Sequence, residues 1–144
     1  MSDLRQHQGE ISIATPGRGM HDITARLASF LGESNLRDGL LTVFCRHTSA
    51  SLLIQENADP DVRADLEAFL GRLAPDGAKH YRHAAEGPDD MPAHLRAALT
   101  ATQLSIPFAA ARLRLGTWQG VYLCEHRTSP HRRLLALHAI GTEG

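Results

Sequence analysis

The last third of the chain carries four apolar runs in strand-like rhythm with no helical segment between them, and this constrains the fold most. Gln103–Phe108 and Ala111–Leu115 are short, while Trp118–Glu125 and Arg132–Ile140 are longer. Turn-forming residues separate them, and R-T-S-P-H between the last two reads as a hairpin loop. Strands joined this closely pair antiparallel, because a parallel neighbour needs a crossover of a dozen residues or more.

The preceding residues add strands and helices in an order that keeps this reading. Residues 9–15 alternate apolar and polar side chains and predict a half-buried first strand, which Pro16, Gly17 and Gly19 end. Ile23, Leu27, Phe30 and Leu31 fall at helical spacing, predicting a helix over His21–Ser34 with Asp22 in its first turn. Leu40–Cys45 and Leu52–Gln55 predict two strands, and R-H-T-S-A-S between them suits a tight hairpin or a bend. That connection places His47, Thr48, Ser49 and Ser51 at one rim of a sheet. Asp59 is a good N-cap and Pro60 suits a first helical position. Val62, Leu66, Phe69, Leu70 and Leu73 then trace the apolar face of a second helix, stopped by Pro75–Gly77. Pro92 opens a third, shorter helix carrying Leu95 and Leu99. The expectation is α+β: a single domain over residues 1–144, with a mostly antiparallel sheet and about three helices.

Composition narrows the classes of function. At 144 residues the chain suits one domain with a real core. A formal net charge of −1 gives no general attraction to nucleic acid or anionic membranes, so neither is an expected partner. No apolar run approaches the roughly 20 residues of a spanning helix. The opening M-S-D-L-R-Q-H-Q-G-E has no apolar signal region, so a cytoplasmic location is expected. Cys45 and Cys124 lie in apolar strand-like runs outside any C-x-x-C pair, and read as reduced, half-buried thiols. Nine histidines against a single lysine is the unusual feature. Imidazole is both a metal ligand and a proton carrier near neutral pH.

Those histidines are densest between His80 and His94, in H-Y-R-H-A-A-E-G-P-D-D-M-P-A-H, where Gly87, Pro88 and Pro92 prevent a long regular element. His83 and His94 are candidate metal ligands, with His47 or His126 as the third and Asp89 and Asp90 as ligands or supports. The competing reading is a set of exposed loop histidines with capping aspartates. Arg46, Arg82, Arg127, Arg132 and Arg133 lie beside loop segments, and with H-T-S-A-S and G-T-W-Q-G they suit a phosphate or pyrophosphate. Taken singly, each reads as a solvated rim arginine. Glu56 follows an apolar strand and is a candidate general base, or else a cap for the second helix. Trp118 is a candidate stacking wall for a planar ring, with Gln119 reading its edge, or a core tryptophan. No G-x-S-x-G, Walker or Rossmann pattern occurs, so a serine nucleophile and a nucleotide loop of those types are set aside.

The runs H-T-S-A-S-L-L-I-Q-E-N-A-D-P-D-V, Y-R-H-A-A-E-G-P-D-D-M-P-A-H and L-G-T-W-Q-G-V-Y-L-C-E-H-R closely resemble the YjbQ-like family, whose members are often described as secondary thiamine-phosphate synthases. The likeness spans nearly the whole chain. It implies a curved, mostly antiparallel sheet, assembly as a homotrimer and a polar pocket holding a divalent metal (zinc, manganese or magnesium), with no organic cofactor evident. The family's polar positions fall here on His47, Ser49, Glu56, His83, Asp90, His94, Thr117, Trp118 and Gln119. Pro92 stands where some relatives have a further histidine, so the third ligand must come from elsewhere. The implied reaction joins a pyrimidine-methyl diphosphate to a thiazole phosphate and releases pyrophosphate. In that scheme His47, Glu56 and Asp90 act on the reacting groups, while Ser49, Thr117, Trp118, Gln119, Arg82 and Arg133 bind a phosphorylated small molecule. Two other classes stay open: a metal-dependent hydrolase of a phosphorylated or cyclic metabolite, and a non-catalytic trimer binding a metabolite or metal.

Overall fold

The computed structural model describes residues 3–144; Met1 and Ser2 lie outside the described residues. Eight strands and three helices follow in the order β1 (Arg5–Thr15), β2 (Gly19–Asp22), α1 (Thr24–Ser34), β3 (Asp38–Cys45), β4 (Ala50–Glu56), α2 (Pro60–Leu73), α3 (Asp90–Leu99), β5 (Gln103–Ala109), β6 (Arg112–Leu113), β7 (Gln119–Glu125) and β8 (His131–Thr142). They form a five-stranded sheet in the order β1-β8-β3-β5-β6 and a three-stranded sheet in the order β2-β7-β4. Every pairing between strands is antiparallel. This is the expected α+β architecture.

The structure departs from the sequence expectation at several elements. Residues 19–22 extend as β2 against β7, so α1 starts at Thr24 and not at His21. Asp22 then serves the helix from outside, its Oδ1 accepting the Thr24 N–H at 2.9 Å. β7 and β8 form no hairpin: β7 enters the small sheet and β8 the large one, and residues 126–130 cross between them. β3 and β4 part in the same way, so the connection after Cys45 is a bend between sheets.

The core lies where the two sheets face each other. Leu41 and Val43 of β3 and Leu135, Leu137 and Ala139 of β8 meet Leu52 of β4 and Val121 and Leu123 of β7, and α1 adds Leu27, Phe30 and Leu31. The strand period of two turns Tyr122 and Cys124 to the other face of β7, toward a second layer containing Leu70 of α2 and Ala93 of α3. α2 begins as its sequence predicts: Asp59 Oδ1 accepts the Asp61 N–H at 2.9 Å, and Pro60 opens the helix. α3 begins two residues before Pro92. Proline is tolerated there because first-turn N–H groups have no intrahelical acceptor. Among the described residues no helix is long and apolar enough to cross a membrane.

Candidate metal centre

The early start of α3 creates the site. With Asp90 inside the helix, Asp90 and His94 stand four residues apart on one face, and His83 from the preceding loop closes over them. His83 Nε2 lies 2.5 Å and His94 Nε2 3.0 Å from Asp90 Oδ2. One ligand atom from each residue falls within 4.8 Å of the others. His94 Nδ1 donates to the Thr48 carbonyl at 2.8 Å, and a carbonyl can only accept, so in the neutral ring Nε2 carries a lone pair. A lone pair facing a carboxylate oxygen at 3.0 Å requires a proton or a cation between them. Two imidazole nitrogens and one carboxylate oxygen form a donor set suited to Zn2+ or Mn2+.

Neighbouring residues fix this carboxylate. Arg127 Nη1 donates to Asp90 Oδ1 at 2.7 Å, leaving Oδ2 toward the histidines. Its Nε donates to Asp89 Oδ2 at 3.0 Å and its Nη2 to the Glu86 carbonyl at 3.1 Å. Asp89 also accepts from the Thr128 N–H and hydroxyl, at 2.9 and 3.1 Å. Burial alone would raise both aspartates. Hydrogen bonds from Thr128 and Arg127 hold Asp89 well below the usual carboxylate range, and the bond from His83, with the charges of His94 and Arg127, lowers Asp90. The bond to Asp90 raises His83 in turn. The loop carrying His83 is anchored by Gly77 N–H to the Pro88 carbonyl at 2.9 Å, and by Arg18, whose guanidinium grips both oxygens of Asp76.

The structure brings together only part of the predicted set. His83, Asp90 and His94 converge, with Asp90 in the third position that the sequence leaves to His47 or His126. His47 borders the cleft beside His94, but its Nε2 accepts the Leu134 N–H at 2.7 Å. His126 is buried on the far side of β7, with Nε2 bonded to Ser51 Oγ at 2.8 Å. Ser49 contributes its carbonyl to the rim, accepting from the His126 N–H and from Arg133. Arg133 is buried against Glu125 and braces the interior, where the sequence suggests a substrate anion. Arg82 is exposed at the loop, next to His83. Glu56, Thr117, Trp118 and Gln119 sit at the other end of the small sheet. Glu56 pairs with Gln119 there, while Ala50 pairs with Glu125 at the metal end, six residue steps or about 20 Å away. Glu56 accepts the Ala58 and Asp59 N–H groups at 3.1 and 2.9 Å and so caps the turn before α2, its alternative reading. Trp118 is 63% exposed, neither core nor wall to the histidines of its own chain.

The model for the YjbQ-like UPF0047 proteins matches residues 9–142. The chain belongs to this family. It is 53% identical to the UPF0047 protein sll1880 of Synechocystis, over 96% of this chain and 94% of that one. The YjbQ protein of Escherichia coli O157:H7 is 39% identical, over 90% and 95% of the two chains. Among solved structures, a YjbQ/UPF0047 family protein of Clostridium acetobutylicum superposes with a TM-score of 0.83 at 36% identity, covering 91% of this chain and 98% of that one. A YbjQ-like protein of Sulfolobus solfataricus reaches 0.88 at 19% identity, over 96% and 99% of the chains, a likeness of fold alone.

Proposed function

We propose that the protein is a divalent-metal enzyme acting on a phosphorylated small molecule, and that its reaction is hydrolysis. The observation that carries this is the convergence of His83 Nε2 and His94 Nε2 on one oxygen of Asp90, with His94 Nδ1 committed to the Thr48 carbonyl. A divalent ion held by three protein ligands with an open side supplies Lewis acidity toward a phosphoryl oxygen and makes water more acidic. Arg127 orients Asp90 for this ligation, and the Thr48 carbonyl orients His94. Beside His83 a cleft of about 340 Å3 is bordered by Lys79 and Tyr81. Lys79 and the exposed Arg82 have no ion-pair partner among the described residues, which suits them to phosphate oxygens.

In the synthase scheme Trp118 stacks on a ring and arginines hold the diphosphate close to the metal. Here Trp118 stands at the opposite end of the sheet, and Arg127 and Arg133 are engaged by Asp89, Asp90 and Glu125. A synthase reaction would require an assembly, such as a homotrimer, in which Trp118 of one subunit met the histidines of the next. One surface favours such assembly: the outer face of the large sheet exposes Leu40 and Phe44, at 39% and 45%, with Ile140 and Ala136 paired to them across β8. Light scattering reading a monomer would remove that second reading.

The test of the main proposal is metal titration of chelator-treated protein, followed by turnover of p-nitrophenyl phosphate and a panel of phosphorylated metabolites. Near-stoichiometric Zn2+ or Mn2+ binding is expected, with turnover that the metal restores. Truncating His83 or His94 is expected to weaken metal binding at least tenfold. Unchanged metal affinity in a His83→Ala/His94→Ala double variant would overturn it.

A further inference from the structure

A second cavity lies on the other side of β7, in the layer between the small sheet and the helices. It has a volume of about 180 Å3 and is walled by Met20, Leu53, Leu66, Phe69, Leu70 and Leu99. Phe69 and Leu99, at 49% and 59% exposed, form its rim. Gln55, Glu67, Thr100, Cys124 and His126 contribute the polar part of the lining. Glu67 is paired there with Arg96, so its charge is matched.

His126 is the informative residue. It is 1% exposed, and its Nδ1 has no hydrogen-bond partner among the described residues, although Nε2 is bonded to Ser51 Oγ at 2.8 Å. A buried polar atom without a partner costs free energy comparable to a lost hydrogen bond. Either neutral tautomer leaves Nδ1 unmatched: as an N–H if Ser51 donates to Nε2, as a lone pair if Nε2 donates to Ser51. A hydroxyl oxygen donates and accepts, and so matches both. The volume is close to that of an engineered apolar cavity of about 150 Å3 that takes benzene.

We propose that this cavity binds a small neutral molecule, a single ring or short branched chain, whose one hydroxyl bonds His126 Nδ1 while the rest lies against Met20, Leu53, Leu66 and Leu99. The site is distinct from the metal centre and does not rest on the hydrolase reading. Neutrality follows from the matched charges of Glu67 and Arg96 and from a ring that stays uncharged at this depth.

The test uses full-length protein labelled at its methyl groups and titrated with phenol and, separately, toluene. Phenol is expected to shift the Met20, Leu53, Leu66 and Leu99 methyls saturably, with a Kd about fivefold below that of toluene, as one net hydrogen bond implies. In His126→Phe, confirmed folded by its spectrum, the ratio should fall to about one. Leu99→Trp, which fills the rim, should abolish both titrations. Absence of saturable phenol shifts, equal affinities in the wild type, or phenol binding unchanged in Leu99→Trp would each overturn the proposal.

Discussion

At the scale of single residues, nine histidines of one type are sorted by what their two ring nitrogens meet. His94 has a carbonyl behind it and a carboxylate in front, which suits it to ligate a metal. His126 has a hydroxyl on one side and no partner on the other, and it is buried. Burial, then the positive charge of Arg96, push His126 from its ordinary value down to about 4. The unfolded chain takes up this proton near pH 6.5, while the folded chain does so only near pH 4. Between those values the unfolded state binds more protons, so stability is fully present above pH 6.5 and declines as pH falls toward 4. The loss from this residue is about 3 kcal/mol. Urea unfolding at pH 7 and pH 4.5 is expected to show it in the wild type and a smaller loss in His126→Phe. Equal losses in both would mean that another group governs the window. The sequence offers no means to sort the histidines this way, because the deciding partners, Thr48 for His94 and Ser51 for His126, lie 46 and 75 residues away.

At the scale of elements, the close pairing of β3 with β8 depends on two facing glycines. Gly39 is registered with Gly141. A Cβ at Gly39 would lie 2.1 Å from the Ile140 carbonyl oxygen, and one at Gly141 2.1 Å from that of Asp38. Both obstacles are backbone, so Gly39→Ala must push the strands apart, at a cost of about 1–3 kcal/mol. Gly32 in α1 is the contrast: a Cβ there meets nothing within 4 Å, and Gly32→Ala should gain about 0.5–1 kcal/mol from helix propensity. Thermal melts of the two variants should move in opposite directions. What the sequence makes legible follows the same division between local and distant causes. α2 is readable because Asp59 and Pro60 act within a few residues of each other, and β1 because its alternation is its own. β2 is not, since four residues beside two glycines become a strand only by pairing with β7, a hundred residues on. The separation of β7 from β8 is likewise decided by their partners and not by the loop joining them. At the site, H-Y-R-H and D-D-M-P-A-H mark the candidate ligands, but starting α3 at Pro92 hides the i, i+4 relation of Asp90 to His94 that makes them neighbours. Glu56 and His47 flank one short strand in sequence, and its length puts them at opposite rims.

At the scale of the whole molecule, the two sheets are joined at the metal end by one buried ion pair. Glu125 closes β7 of the small sheet, and Arg133 opens the inward face of β8 in the large one; both are at least 96% buried. Arg133 Nε donates to Glu125 Oε1 at 2.8 Å, and its Nη2 bonds Oε2. Thr15, at the end of β1, donates to the same carboxylate at 2.6 Å. Burial would raise Glu125, but the bonds from Arg133 and Thr15 hold it below its ordinary value, so this stabilisation is lost only as pH falls through that lowered value. The other oxygen accepts the backbone N–H of Arg127 at 3.1 Å, and Arg127 is the residue that orients Asp89 and Asp90. The joint between sheets therefore also fixes the backbone from which the Asp90 carboxylate of the candidate metal centre is held. Replacing Glu125 alone strands a buried guanidinium, so Glu125→Gln is expected to cost about 3–5 kcal/mol. Exchanging both partners for apolar residues of similar volume, as in Glu125→Leu/Arg133→Met, removes the stranded charge and should recover most of that loss. It cannot restore an acceptor for the Arg127 N–H. Stability and metal affinity should consequently separate in the double variant: a urea midpoint near the wild type, with Zn2+ binding measured by calorimetry still weakened severalfold. Recovery of both would show that Arg127 is placed by its own side-chain contacts alone, and that the ion pair serves the fold without serving the site.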